Sequence, residues 1–308
     1  MQSILVTGGA GFIGSNLTLK LQELYPAARI VVADDFRSGD FKNLKGYRGD
    51  FVADDVSRLN WNSQFGDRVF DAIFHEASIT DTTVHDQLLQ THDNVEGFRR
   101  LLEFARPHHT PVVYASSAAT YGIGAAGAMR EDQEPAPANV YAFSKVQLDN
   151  LARQYARQNP SWKIVGLRYF NVYGPRESHK KAAASMIYQL YLQMKAGKRP
   201  RVFKHGEQKR DFVYVKDVVR MTIAALNAPK SGVYNCGSGV AFSFNEVIAA
   251  LNQSLGTSLE PEYFENPYSF YQPHTEADMT LARNDLKYQP DFPPAQGIAD
   301  YISLLEGR

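Results

Sequence analysis

Ser3-Ile4-Leu5-Val6-Thr7-Gly8-Gly9-Ala10-Gly11-Phe12-Ile13-Gly14 decides the fold. Ser3–Thr7 is a short apolar β-type run and helical spacing begins after Gly11, so the glycines fall between a strand and a helix. Glycine there permits a tight turn and lets backbone approach a pyrophosphate, which the positive end of the following helix stabilises. Such a cluster is weak evidence alone. Asp34-Asp35 strengthens it by closing the second apolar run, Ile30–Asp34, about 20 residues past Gly14, the spacing of a carboxylate that takes ribose hydroxyls. A plain glycine turn and a solvated acidic pair would explain each feature separately, but not their joint spacing.

The rhythm continues to residue 168. Strands are expected at Ser3–Thr7, Ile30–Asp34, Phe51–Ala53, Ala72–His75, Val112–Ser116 and Ile164–Arg168. Between them run helical stripes such as Phe98, Leu101, Leu102, Ala105 and Leu148, Leu151, Ala152, Tyr155. Alternation of this kind predicts an α/β fold, a doubly wound parallel sheet of Rossmann type covered on both faces. After Arg168 the pattern breaks. Phe170–Lys181 reads as a polar, basic and aromatic loop with a Gly174-Pro175 turn. A helix is expected over Ala182–Lys195, short strands at Arg201–Phe203 and Asp211–Val215, and irregular chain through Tyr263–Pro273. Residues 1–168 are therefore expected to form a dinucleotide-binding domain to which 211–236 returns. Residues 169–210 and 237–308 would make a smaller C-terminal α/β substrate domain over the carboxyl edge of the sheet.

Composition narrows the function. Lys+Arg 33 balances Asp+Glu 33, which removes any global attraction to nucleic acid or to anionic membrane. A single cysteine, Cys236, excludes an internal disulfide and a multi-cysteine zinc site. His75 and His85 have no partner at metal-ligand spacing, so no metal is expected. No stretch offers about 20 apolar residues, and no charged segment leads into an apolar signal core. The cytoplasm is the expected location.

Tyr141-Ala142-Phe143-Ser144-Lys145 puts a phenol and an ammonium on one helix face. Oxidation of an alcohol needs a base for the hydroxyl proton, and a phenol with a reference pKa of about 10 needs a nearby cation to serve at neutral pH. Lys145, with the positive charge of a nicotinamide, would lower that pKa. The spacing proves nothing by itself, because Tyr191 and Lys195 repeat it in a helix that reads as packing. Position separates them: Tyr141 follows the Ser116-Ser117 strand end by one loop, and a hydroxyl there can share the reacting proton. Farther on, Arg176, His179, Lys180 and Lys181 cluster beside Tyr169, Phe170 and Tyr173, which suits a diphosphate and a base or sugar. Asp54 or Asp55, after the third strand, is placed to touch adenine.

These motifs resemble extended short-chain dehydrogenases/reductases acting on nucleotide sugars, and within them the ADP-heptose 6-epimerases. The likeness runs through Ile73–Thr83 (IFHEASITDTT), Tyr114–Gly122 (YASSAATYG), Asn139–Lys145 (NVYAFSK), Arg168–Lys180 (RYFNVYGPRESHK) and Lys209–Val215 (KRDFVYV). It implies epimerisation at C6″ of an ADP-heptose by transient oxidation with tightly bound NADP or NAD, in the synthesis of a lipopolysaccharide inner-core precursor. Tyr141 and Lys180 would be the two acid/bases, with Ser117 and Lys145 as partners of Tyr141. Gly8, Gly11, Phe12, Ile13, Gly14, Asp34, Asp35, Asp54, Glu76, Ala77, Ser78, Asn94, Tyr141, Lys145, Val172 and Lys180 would contact the cofactor. Ser117, Asn171, Lys180, Gln189, Phe203, Arg210 and Tyr271 would contact the ADP-sugar, and a homo-oligomer is expected. Two departures bear on the cofactor. Asp40 or Phe41 falls where the family carries a lysine for a 2′-phosphate, and Asp35 replaces an asparagine. Both remove positive or add negative charge, whereas Arg37 and Arg58 would offset them.

Three rival readings differ from this one at particular residues. A 4,6-dehydratase needs an acidic pair where this chain has Ala118-Ala119. A UDP-sugar 4-epimerase keeps Tyr141 and Lys145 but leaves Lys180 without a catalytic task. A non-catalytic dinucleotide sensor would have no use for Ser117, Tyr141, Lys145 and Lys180 together.

Overall fold

A computed structural model describes residues 1–80, 86–123, 127–266 and 272–308. In chain order its first half runs β1 (Ser3–Thr7), α1 (Phe12–Leu24), β2 (Arg29–Ala33), β3 (Asp50–Val52), α2 (Trp61–Phe65), β4 (Ala72–His75), α3 (Gln87–Ala105), β5 (Val112–Ser117), α4 (Val140–Gln158) and β6 (Ile164–Tyr169). The rest comprises β7 (Asn171–Tyr173), α5 (Met186–Lys195), β8 (Arg201–Phe203), β9 (Lys209–Tyr214), α6 (Val215–Ala224), β10 (Gly232–Cys236), β11 (Ala241–Ser243), α7 (Phe244–Leu255), β12 (Glu262–Phe264), α8 (Thr280–Leu286) and α9 (Pro294–Leu305).

Seven strands form one parallel sheet in the order β10-β6-β5-β4-β1-β2-β3. Side chains alternate between its two faces, as a pleated strand requires. Ile4, Val6, Ala72, Phe74 and Val113 enter one core, whose further residues come from α1, α6 and the second half of the chain. Leu5, Ile73, Val112 and Tyr114 enter the other, with Phe98, Leu101, Leu148 and Ala152 from α3 and α4. Both tryptophans of the chain, Trp61 and Trp162, are buried in this second core. Strands buried on both sides explain the near-continuous apolar runs in the sequence.

The second half holds two small sheets. β9 lies between β7, to which it is parallel, and β11, to which it is antiparallel. The strand expected at Asp211–Val215 thus forms outside the large sheet, while β10 pairs with β6 and supplies the seventh strand. β8 and β12 make a parallel pair of their own. α7 starts at a capping box, with the Ser243 hydroxyl and the Glu246 carboxylate satisfying each other's backbone N–H.

A buried ion pair fixes β6 to α4. Arg168 donates to Asp149 Oδ2 from Nε at 3.2 Å and Nη2 at 3.0 Å, and Tyr114 donates to Asp149 Oδ1 at 3.0 Å. Both charged side chains are almost wholly excluded from solvent. Satisfying a buried carboxylate through three donors is what makes the pair tolerable. α4 is held against the sheet and carries the Tyr141–Lys145 face. No described helix is long and apolar enough to cross a membrane.

Candidate active site

The strand order reverses at β1, which has β2 on one side and β4 on the other. Ligands of open α/β sheets bind beyond the carboxyl ends of such strands. A cleft of about 1250 Å³ lies there. It exceeds the roughly 300–1,000 Å³ of a pocket for one small molecule, so there is room for a dinucleotide and a second nucleotide-bearing ligand.

At one end the glycine turn forms the floor. Gly8 has φ of +69°, and a Cβ on it would lie 2.5 Å from the Ala77 nitrogen; a Cβ on Gly14 would lie 2.1 Å from the Gly8 carbonyl oxygen. Neither position has room for a side chain. Gly11 caps α1 with no side-chain hydrogen bond, whereas Asn139 caps α4 and Ser243 caps α7. The first-turn amides of α1 therefore lack a side-chain acceptor beside the cleft wall formed by Gly11, Phe12 and Ile13. That donor set fits a pyrophosphate. Asp34 stands next to it, accepting from Ala10 N at 2.9 Å and Phe36 N at 2.9 Å. Asp35, Asp54, Glu76, Ala77, Ser78, Asn94 and Val172 line the same cleft. The residues fit a nicotinamide dinucleotide.

Farther in, Glu76 accepts a hydrogen bond from Tyr169 Oη at 2.9 Å. Burial raises its pKa to about 7, a shift that the Tyr169 bond and the Lys145 charge oppose. The folded protein thus favours the protonated carboxyl relative to the unfolded chain. Its stabilising contribution is complete below about pH 4.5 and fades as pH rises through about 7. Glu76→Gln keeps an acceptor for Tyr169 and removes the charge. It is expected to raise Tm at about pH 8 but not at about pH 4.5, by roughly 2–4 °C for each kcal/mol relieved. An equal change in Tm at both pH values would show that Glu76 does not titrate in this way.

The Asn139 cap starts α4 one residue before Val140, so Tyr141 and Lys145 stand one turn apart near its beginning. Lys145 Nζ is 5.7 Å from the Tyr141 ring centroid and donates to the Ala115 carbonyl at 2.8 Å. Burial lowers the lysine pKa to about 8, against the pull of Glu76 and Asp149. Ser117, at the end of β5, hydrogen-bonds the Tyr141 phenol and holds its pKa down, but burial is the larger effect and raises it. Lys145 is not among the groups that shift the phenol here; burial and the Ser117 hydrogen bond are.

The other wall begins with the stretch read as a loop. It contains β7 and a 3-10 turn over Ser178–Ala183, and the segment between is strapped down. Glu177 accepts from Gly174 N at 3.0 Å and Ser185 Oγ at 2.9 Å. Asn16 of α1 donates to the Pro175 carbonyl at 2.9 Å and accepts from Arg176 Nη1 at 2.8 Å. The His179 ring meets the Asn43 amide at 3.1 Å. These ties bring Lys180 Nζ to 5.6 Å from the Phe12 ring centroid, beside the glycine turn. Burial lowers the Lys180 pKa, and Glu177 opposes that shift.

Asn171, Phe203 and Arg210 also line the cleft, and Phe264 packs edge-on against Phe203 at 5.0 Å. Two expected sugar contacts stand apart. Gln189 is not part of the cleft wall, because its amide donates to the Lys181 carbonyl at 2.5 Å. Tyr271 lies outside the described residues. Asp93 was missed: it lines the cleft from α3 and is buried. Its signal was Gln90, Asp93, Asn94 and Gly97 lying on the helix face that continues into Phe98 and Leu101, a polar start to an inward stripe. Among the described residues, no group of three or more His, Cys, Asp or Glu side chains is arranged to hold a metal ion.

Residues 4–237 match the NAD dependent epimerase/dehydratase family. Over the whole chain the fold is similar to that of the ADP-L-glycero-D-manno-heptose-6-epimerase of Helicobacter pylori, at 42% identity and a TM-score of 0.91, covering 100% of this chain and 97% of that one. The UDP-glucose 4-epimerase of Thermotoga maritima, solved with UDP-glucose, gives 27% identity and a TM-score of 0.91 over 99% of both chains. The UDP-glucuronic acid 4-epimerase of Bacillus cereus, solved with UDP-glucuronic acid and NAD, gives 29% identity and 0.83 over 99% of this chain and 100% of that one.

Proposed function

The chain belongs to the NAD dependent epimerase/dehydratase family, and we propose that its reaction is the interconversion of ADP-D-glycero-β-D-manno-heptose and ADP-L-glycero-β-D-manno-heptose at C6″. As an epimerase with an NAD-type cofactor it ends each cycle with no net oxidation. The observation that carries the choice of sugar is the end-to-end likeness to the Helicobacter pylori enzyme at 42% identity. Tyr141 and Lys180 in one cleft support it, since inversion at an exocyclic carbon calls for a proton acceptor on each face.

Bound along the glycine turn, a nicotinamide dinucleotide supplies a hydride acceptor that returns the same hydride. Tyr141 takes the C6″ hydroxyl proton as the carbon is oxidised to a ketone. Ser117 orients the phenol and stabilises its ionised form through a hydrogen bond. The planar ketone turns within the cleft and offers its other face for reduction, and Lys180 delivers the proton to the new oxygen position. A lysine whose pKa burial has lowered is suited to that exchange. Arg210 and Asn171 hold the diphosphate and sugar. The place proposed for this work is the cytoplasm, in making the precursor of a lipopolysaccharide inner core, with a homo-oligomer as the assembly.

The test is to incubate the purified protein with ADP-D-glycero-β-D-manno-heptose and follow the C6″ configuration by proton NMR, without added cofactor. A mixture of the two epimers is expected. No conversion, even with NAD and NADP supplied, would overturn the assignment. The second reading, 4-epimerisation of a UDP-sugar, draws on the equal TM-score of the Thermotoga maritima enzyme. Turnover of UDP-glucose in place of the ADP-heptose would establish it.

A further inference from the structure

Lys180 is tied to the glycine turn through two side chains to which the reaction assigns no task, Asn43 and His179. The loop after β2 folds across that turn, and Asp40 N and Asn43 Nδ2 both donate to the Ala10 carbonyl, at 3.1 Å and 3.0 Å. Asp40 then caps a 3-10 turn over Phe41–Leu44, accepting from Lys42 N at 2.9 Å, and this turn presents Asn43 with its side chain buried. The same Asn43 nitrogen lies 3.1 Å from His179 Nδ1. His179 and Lys180 are neighbours in the chain, and both line the cleft. The segment that carries them needs outside support. Arg176 and Lys181, on either side, have φ of +71° and +50°, a region that side-chain-bearing residues enter only when their surroundings hold them there.

The Asn43 contact fixes the protonation state of the ring. An asparagine nitrogen donates through two N–H groups and accepts nothing. The Ala10 carbonyl takes one of them, so turning the amide end over end would set oxygen against oxygen. The second N–H needs a lone pair. His179 Nδ1 offers one only while the imidazole is neutral with its proton on Nε2. A charged ring would set N–H against N–H and open the tie. The groups facing the ring are Lys180 from its own segment, Asp40 and Asp34 from the other side, and the backbone of Arg176 and Ser38. Burial is the largest influence on its pKa and lowers it, Lys180 acts the same way, and Asp40 opposes them without prevailing. The neutral ring is therefore the form present at neutral pH.

We propose that Asn43 and His179 are positioning residues for Lys180: the neutral His179 ring, held by the Asn43 amide, keeps the lysine at the substrate face it serves, and protonation of the ring releases it. The inference rests on the task given to Lys180 in the reaction. It adds the groups that set the place of the lysine and a lower pH limit to that place. Neither residue need touch the reacting atoms. Turnover is supported above the His179 pKa and is lost as pH falls through it.

The experiment compares the full-length wild type with His179→Asn and His179→Leu. The oxygen of an asparagine stands close to the place of Nδ1 and accepts without titrating, whereas leucine accepts nothing. Values of kcat and KM for the ADP-heptose are measured from about pH 5 to about pH 8.5. The ratio of wild-type to His179→Asn kcat should be flat above about pH 7.5 and should fall below a midpoint under about 6.5, approaching a loss of about tenfold per pH unit. Taking the ratio cancels the titration of Tyr141, which both proteins share. His179→Leu should lose about tenfold to a hundredfold in kcat at every pH, as a misplaced acid/base does, with KM within about threefold. Nitrogen-15 NMR of the imidazoles, with the His179 signal assigned by its disappearance in His179→Asn, should show the Nε2–H tautomer in wild-type protein without substrate. An Nδ1–H tautomer, a ratio that stays flat with pH, or equal kcat in the Asn and Leu variants would overturn the proposal. A wild type that turns over no ADP-heptose would overturn the reaction reading and the positioning role with it, and the ring tautomer would still report whether the tie to Asn43 exists.

Discussion

Tyr141→Phe is expected to lower turnover by about 10³-fold, within the range for loss of a positioned acid/base, while cofactor affinity stays within about twofold. The substitution removes one oxygen from a side chain whose ring remains packed near Lys145, so the fold has little to lose. What disappears is the phenol proposed as the acceptor of the substrate hydroxyl proton. Burial raises the phenol pKa, and Ser117 offsets that only in part. If the phenolate is the base, the wild-type rate should climb as pH rises through the neutral range. The residual rate of Tyr141→Phe should lack that climb. Measurement of turnover against pH for both proteins checks this, and a Phe variant with wild-type rate would remove Tyr141 from the chemistry.

Lys180→Met should reduce epimerisation by about 10²-fold or more and leave dinucleotide binding intact. Methionine preserves an unbranched, largely apolar stem against Phe12 and removes the ammonium. The strap holding this position depends on Glu177, Asn16 and Asn43, none of which is altered. A fall in turnover with unchanged cofactor affinity would mark Lys180 as a proton donor and acceptor. Full activity would leave the second face of the ketone to another group.

The large sheet was legible because strand burial leaves a plain record: Ser3–Thr7 and Ala72–His75 form strands with the bounds expected of them. The second half was harder for identifiable reasons. β7 is three residues long and sits in a stretch whose charge and aromatics read as loop. Ser243 and Glu246 do spell out the start of α7, a signal overshadowed by the prolines and aromatics that follow. In the site, spacing correctly brought Tyr141 and Lys145 to one face, and the same spacing at Tyr191 and Lys195 serves packing, with both side chains bonded to Glu306. Spacing carries no information on the direction of a long side chain, so Gln189 faces a backbone carbonyl instead of the cleft. Nor does it reveal burial, which here outweighs the Ser117 hydrogen bond in setting the phenol's pKa.

Trp61 and Trp162 are both sealed in the core beneath α3 and α4, and neither belongs to the cleft wall. Trp61 packs against Phe65 and Phe104, and Trp162 against Tyr155 and His109, so their surroundings change when that helical layer is disturbed. The wavelength of tryptophan emission is thus a built-in gauge of scaffold integrity, separate from what occupies the catalytic cleft. A variant that loses activity with an unshifted emission maximum has kept this layer in place, which lets damage to the chemistry be sorted from damage to the fold by a single optical scan.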